Sequence, residues 1–241
     1  MRIDQELCIG CGQCIPYCPV GAISPGDDVS DIDFDECVEC GSCLRCADCP
    51  TDAIYQQELE YPRTVRSLMS DVLTIAEESK ISGRGTEEMK TNEVTGRFKL
   101  GDAGVAIEVG RPIIGTRLYD VEKIAMAVAR LGVQFEPVNP TTSMMADKKT
   151  GKFKEELLNE KVLSAIIEFC VKLEQLPKLF DILKEVASEI ESVFSLDLAT
   201  RLAPDGSVST DPYVAQAGLW IARNGKTNIG LGRPLFKEVT Q

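Results

Sequence analysis

The sequence predicts an α+β protein built in two unequal parts. Three observations carry that reading. Nine of the ten cysteines lie between Cys8 and Cys49, where they repeat one spacing pattern. From Val105 onward, apolar residues alternate as in strands or recur as in helices, in the order βαββαβ. The net charge of −12 sits almost wholly in residues 1–60, where 13 Asp or Glu stand against Arg2 and Arg45 alone. A chain of 241 residues has room for about two domains.

The first cysteine run reads Cys8-Ile-Gly-Cys11-Gly-Gln-Cys14-Ile-Pro-Tyr-Cys18-Pro19. The second reads Cys37-Val-Glu-Cys40-Gly-Ser-Cys43-Leu-Arg-Cys46-Ala-Asp-Cys49-Pro50. Three cysteines at two-residue gaps, then a fourth followed by proline, is the spacing that holds a [4Fe–4S] cube. The flanks repeat as well. Ile3-Asp4 precedes the first run as Ile32-Asp33 precedes the second, and Ala22-Ile23 answers Ala53-Ile54. Cys8 and Cys37 are 29 residues apart, but Cys18 and Cys49 are 31 apart. The second copy therefore carries two extra residues between its third and fourth cysteines.

On these residues the segment 1–60 resembles the bacterial-type two-cluster ferredoxins. The resemblance implies a domain over 1–60 with two [4Fe–4S] clusters, the fourth cysteine of each run ligating the other run's cluster. Carried over by position, Cys8, Cys11, Cys14 and Cys49 would hold one cluster. Cys37, Cys40, Cys43 and Cys18 would hold the other. Cys46 departs from the family pattern and stands as an alternative to Cys49. The register favours Cys49, because Pro50 and Ala53-Ile54 stay aligned with Pro19 and Ala22-Ile23.

Other cysteine chemistries suit the chain less well. Structural zinc takes four ligands per site and often mixes in histidine, and this chain contains none. The absence of histidine also removes His-based acid–base catalysis and Rieske ligation. A disulfide framework suits a small secreted chain, and no apolar signal segment precedes the first run. The expectation is a reducing cytoplasm in an anaerobe. No apolar run approaches the ~18 residues that would span a membrane. The acidic field should steer the segment to a redox partner with a basic docking surface and away from nucleic acid.

Residues 61–104 read as a linker. A helix is expected over 64–79, with Val65, Leu68, Met69, Val72, Leu73 and Ala76 in one stripe, followed by a Gly- and Thr-rich loop over 82–104. Residues 105–241 read as a βαββαβ sandwich, ferredoxin-like in topology and ACT-like in kind, with a helical extension. Its expected strands are Val105–Val109, Val133–Val138, Leu163–Val171 and Val193–Leu202. Its helices are Asp120–Leu131 and Glu174–Glu191, with an insert over 139–161 that is a candidate docking loop. Met144 and Met145 in that insert suit an adaptable contact or a core filler equally.

One sheet face would carry Glu108, Gln134, Glu136, Glu168, Ser195 and Asp197, solvated or salt-bridged. Cys170 shares that face as a lone thiol. A final helix is expected over 211–224, with Trp220 docked on the core. Gly110-Arg111-Pro112 and Gly232-Arg233-Pro234 are too short to carry a motif.

These features predict an iron–sulfur electron-relay subunit of a hetero-oligomeric oxidoreductase complex, no enzyme on its own, whose C-terminal domain docks the catalytic partner. The alternative is a redox- or metabolite-responsive regulator with an ACT-like ligand-binding domain.

Overall fold

A computed structural model describes residues 1–75, 89, 96–111 and 114–222. In the cysteine-dense segment, every short strand is the flank of a run. These are β1 (Arg2–Ile3), β2 (Ile23–Pro25), β3 (Ser30–Ile32) and, after helix α1 (Ser42–Cys46), β4 (Ile54–Tyr55). β1 pairs antiparallel with β4, and β2 with β3. Isoleucines close both ribbons, Ile3 opposite Ile54 and Ile23 opposite Ile32. They are buried with Ala22, Ala53, Cys14, Cys37 and Cys43 in one small core. Each repeated aspartate starts a turn. Asp4 accepts the amides of Glu6 and Leu7, and Asp33 those of Asp35 and Glu36.

The helix expected over 64–79 is shorter. α2 (Thr64–Ser70) stops at Asp71, whose carboxylate takes the Leu73 amide and pairs with Arg45 at 3.0 Å. Val65 and Met69 enter a second, larger core, but Val72 and Leu73 are 71% and 68% exposed and belong to no stripe. Most of the loop over 82–104, including Gly83-Arg-Gly85, lies outside the described residues.

The larger core is organised by β5 (Asp102–Val109), β6 (Thr116–Arg117), α3 (Leu118–Ala129), α4 (Pro140–Ser143), β7 (Met145–Asp147) and β8 (Lys152–Phe153). It continues through β9 (Lys161–Val162), β10 (Ala165–Lys172), α5 (Leu176–Ala187), β11 (Phe194–Ala199) and α6 (Asp211–Gln216). β5 lies between β10 and β11 in an antiparallel sheet. Val105, Ile107, Val109, Ile167 and Phe169 share their core with Val121 and Ile124 of α3 and with Leu179 and Phe180 of α5. On the opposite face the carboxylates are engaged. Glu136 pairs with Arg97 at 2.6 Å, Glu108 with Arg111 at 2.5 Å, and Glu168 accepts from Asn139 at 2.9 Å.

Three expectations need correction. The strand over Val133–Val138 shrinks to one bridge, Phe135 opposite Phe169, with the Glu136 amide on the Glu168 carbonyl. Pro137 has no N–H to continue the ladder, and Asn139 already caps α4 by accepting the Thr141 amide. The insert 139–161 is not a free loop but is anchored in the core, with residues 146–150 and 154–156 exposed. Thr141, Thr142, Met144, Met145, Phe153 and Leu157 are buried, so the two methionines are core fillers. The last helix ends at Gln216 and not near 224. Gly218 adopts φ 65 just beyond it, and Trp220 stands 82% exposed. Gly232-Arg233-Pro234 lies outside the described residues.

Basic side chains join the two cores. Arg117 pairs with Asp35 and Glu36 at 2.7 Å each, Lys161 also pairs with Glu36, and Arg66 of α2 donates to the Cys37 carbonyl at 2.9 Å. The Arg117 hydrogen bond holds the Asp35 carboxyl below its usual range, and the Lys161 hydrogen bond does the same for Glu36. Carboxyls so depressed stabilise the join above their unfolded pKa, and that contribution fades as pH falls through the lower folded values. Arg117→Glu sets a carboxylate against two others. It is expected to speed protease cleavage between residues 60 and 104 at low salt, with less effect at high salt. Unchanged cleavage at low salt would count against the join.

Candidate iron–sulfur site

The strand pairing determines which cysteines meet. Ile23 lies five residues after Cys18, and its partner Ile32 lies five residues before Cys37. Ile54 lies five residues after Cys49, and its partner Ile3 lies five before Cys8. Each ribbon therefore carries the fourth cysteine of one run to the triplet of the other. One cavity is lined by Cys8, Cys11, Cys14 and Cys49, together with Ile3, Ile9 and Ile54. A second is lined by Cys18, Cys37, Cys40 and Cys43, with Val20, Ile23 and Ile32. Cys46, at the end of α1, is exposed and lines neither cavity. Its two-residue insertion lies before Cys49, so the register of Cys49 with β4 is undisturbed.

The chemistry of each cavity fits an iron–sulfur cube. Four thiols line each cavity beside mainly apolar residues, with Gln13, Ser30 and Thr51 also at the first, and amides point at sulfur: Ala22 N–H to Cys18 Sγ at 3.1 Å and Ala53 N–H to Cys49 Sγ at 3.3 Å. Burial, then the neighbouring Cys40, Cys37 and Cys18, pushes the Cys43 thiol up to about 12. Burial also raises Cys14 and Cys37. At Cys49 burial acts upward too, but hydrogen bonds from Thr51, Ala53 and Ile54 outweigh it and hold the thiol below its usual value. Four thiolates crowded in such surroundings need cationic metal to stay ionised. Among the described residues, no group of three or more His, Cys, Asp or Glu converges on a single metal ion.

Backbone conformation repeats with the cysteines. Gly10, Gly12 and Gly21 have φ of 64, 69 and 66°, and their counterparts Glu39, Gly41 and Asp52 have 56, 66 and 51°. At Gly10 a Cβ would meet the Asp28 carbonyl at 2.4 Å, so glycine is required there. Glu39 bears the same left-handed backbone without that freedom and is fully buried. Its carboxylate accepts from Arg63 at 2.6 Å and Gln56 at 3.2 Å and pairs with the Met1 ammonium. Burial alone would raise its pKa, but these cations outweigh burial and hold it low. Sequence reasoning passed over Glu39 and Asp52, although aligning the copies at offsets of 29 and 31 places both opposite glycines.

Cys170 is remote from both cavities. Burial and the nearby acids Asp102 and Glu136 push its thiol up to about 11, which disfavours the thiolate.

The family model described as "4Fe-4S binding domain" matches residues 1–24. Ferredoxin-3 of Chlorobaculum tepidum is 41% identical over 58 residues, covering 92% of that protein and 22% of this chain. The chain belongs to the ferredoxin family. Membership resides in this ferredoxin segment, which is an iron–sulfur electron-transfer module. Ferredoxin-1 of Rhodobacter capsulatus is 52% identical over 40 residues, 17% of this chain. The chain spans about three-fifths (62%) of that relative's length. "Pyruvate synthase subunit PorD" of Methanothermobacter marburgensis is 42% identical over 52 residues, 22% of this chain and 58% of that protein. No solved structure matches the chain. No helix among the described residues is long and apolar enough to cross a membrane.

Proposed function

We propose that this chain is a two-cluster electron relay within a hetero-oligomeric oxidoreductase. In this reading Cys8, Cys11, Cys14 and Cys49 ligate one [4Fe–4S] cluster and Cys18, Cys37, Cys40 and Cys43 the other. The observation that carries it is the pair of cavities, each lined by four cysteines drawn from both runs. When bound, each cluster accepts or donates a single electron. The protein ligates, insulates and orients. The Ala22 and Ala53 amides stabilise charge on sulfur, and the isoleucine lining excludes water from the inner faces.

Residues 1–60 act as the carrier domain, with 61–104 as the link. Residues 105–241 form an ACT-like sandwich whose second strand is reduced to a bridge, and this domain docks the catalytic partner. The PorD relative, named as a pyruvate synthase subunit, supports a place in such a complex. On the carrier, Cys11 is exposed, with Leu7 and Ile9 exposed beside it and Glu6, Asp27 and Asp28 at its rim. An apolar spot ringed by acids suits a partner with a basic rim and makes association salt-sensitive. The thiol chemistry requires a reducing compartment, and we assign the cytoplasm. The chain is not an enzyme by itself, since both clusters are fully ligated by cysteine.

Anaerobic coulometric titration tests the reading. The reconstituted chain is expected to take up about two electrons, one per cube, and to pass them to a protein acceptor more slowly as salt rises. Uptake of one electron or none would sink it.

A further inference from the structure

Among the described residues, three guanidiniums reach the backbone of one cysteine run and none reaches the other. Arg66 of α2 donates to the Cys37 carbonyl at 2.9 Å and to the Asp35 carbonyl at 2.5 Å. Arg45 of α1 donates to the Cys40 carbonyl at 2.6 Å. Arg63 reaches the Phe34 carbonyl at 2.8 Å and the Cys37 carbonyl at 3.4 Å. Among the described residues, no hydrogen bond from Arg or Lys to the carbonyls of residues 8–14 is found. That first run instead has Asp4, Glu6, Asp27 and Asp28 around it.

The carboxylate partners decide which arginine matters. Arg63 and the Met1 ammonium both pair with Glu39, which stands in the same loop and offsets part of their charge there. Arg66 pairs with Glu160 and, at 3.7 Å, with Asp35 beside Cys37, whereas Arg45 pairs with Asp71; the cationic ends of both touch ligand carbonyls. Arg66 is buried, where charge acts through a low effective dielectric; Arg45 is about a third exposed and is screened. A cluster gains one negative charge on reduction, so a fixed cation beside it favours the reduced state.

Resting on the two-cluster reading above, we propose that Arg66, assisted by Arg45, positions the Cys37–Cys40 loop and raises the reduction potential of the cluster held by Cys18, Cys37, Cys40 and Cys43 above that of the other. The two clusters are then unequal by construction, the exposed one being the stronger reductant.

The test is a redox titration of the holoprotein followed by electron paramagnetic resonance, with iron analysis of every variant. The wild-type chain is expected to hold about eight irons (two cubes) and to titrate with two separated midpoints. Arg66→Gln lowers the higher midpoint by about 59 mV or more, a tenfold change in a one-electron equilibrium, and leaves the lower one in place. Arg66→Lys keeps the charge and retains most of the separation. Arg45→Gln moves the same midpoint in the same direction by less, and it carries the test if Arg66→Gln fails to retain its iron. Coincident wild-type midpoints at full iron content overturn the inference alone. So does an Arg45→Gln protein with unshifted midpoints, or an Arg66→Gln protein in which both move together. A wild-type chain that holds only about four irons overturns the two-cluster reading and this inference with it.

Discussion

Replacing Cys49 by alanine is expected to halve the iron content of the reconstituted chain, from about eight atoms to about four, whereas Cys46→Ala leaves it near eight. The contrast follows from place, since both cysteines are one triplet gap from a neighbour in sequence. Cys49 lies beside β4, and the pairing of Ile54 with Ile3 brings it to Cys8, Cys11 and Cys14. Its sulfur accepts the Ala53 amide, an arrangement that Cys18 and Ala22 repeat in the other half. Cys46 ends α1 with its side chain in solvent. Iron and acid-labile sulfide, measured anaerobically on both variants, decide between the two. Loss of four irons from Cys46→Ala, with Cys49→Ala intact, would reverse the assignment.

The second large effect is expected far from the cysteines. Phe169→Ala should destabilise the chain by about 3–5 kcal/mol, the usual cost of deleting a buried aromatic ring and leaving its cavity. Phe169 is fully buried in β10, opposite Val105 of β5. Its ring also meets that of Phe135 edge to face, with centroids 6.2 Å apart, a geometry worth about 0.5–1.5 kcal/mol more. That contact and the adjoining bridge tether the segment that falls short of a strand. The variant should therefore lower the urea midpoint, followed by far-ultraviolet circular dichroism on the anaerobic holoprotein. A loss below about 1 kcal/mol would mean that the core repacks around the gap.

The site was more legible in the sequence than the fold around it. Cysteine spacing together with the Ile-Asp and Ala-Ile flanks fixes the register, because a strand pair is set by a few apolar positions and those positions recur. The helix-facing alternation of Val105, Ile107 and Val109 was legible for the same reason. What escaped depends on contacts distant in sequence. Val133 and Phe135 alternate like a strand, but Pro137 withholds the next donor and Asn139 starts a cap. The stripe through Val72 and Leu73 matches helical spacing, yet Asp71 is drawn away by Arg45, 26 residues earlier. The position of Arg66 against the Cys37 carbonyl leaves no periodic trace, since one arginine in a short helix has no pattern to betray it. The acidity of the first 60 residues was plain, but the sharing of Asp35 and Glu36 with Arg117 and Lys161 was not.

The crossed origin of the two cavities has a consequence for assembly. Cys18 belongs to the first run and lines the second cavity, while Cys49 does the reverse. An isolated half of the segment keeps its own fourth cysteine but lacks the strand partner that brings a fourth thiol to its triplet. Filling one cavity pins a ribbon that joins both runs, so it should speed the filling of the other during reconstitution. Damage should spread the same way: oxygen that ejects the cluster beside exposed Cys11 frees Cys49 and β4, and loosens the small core on which the second cluster depends.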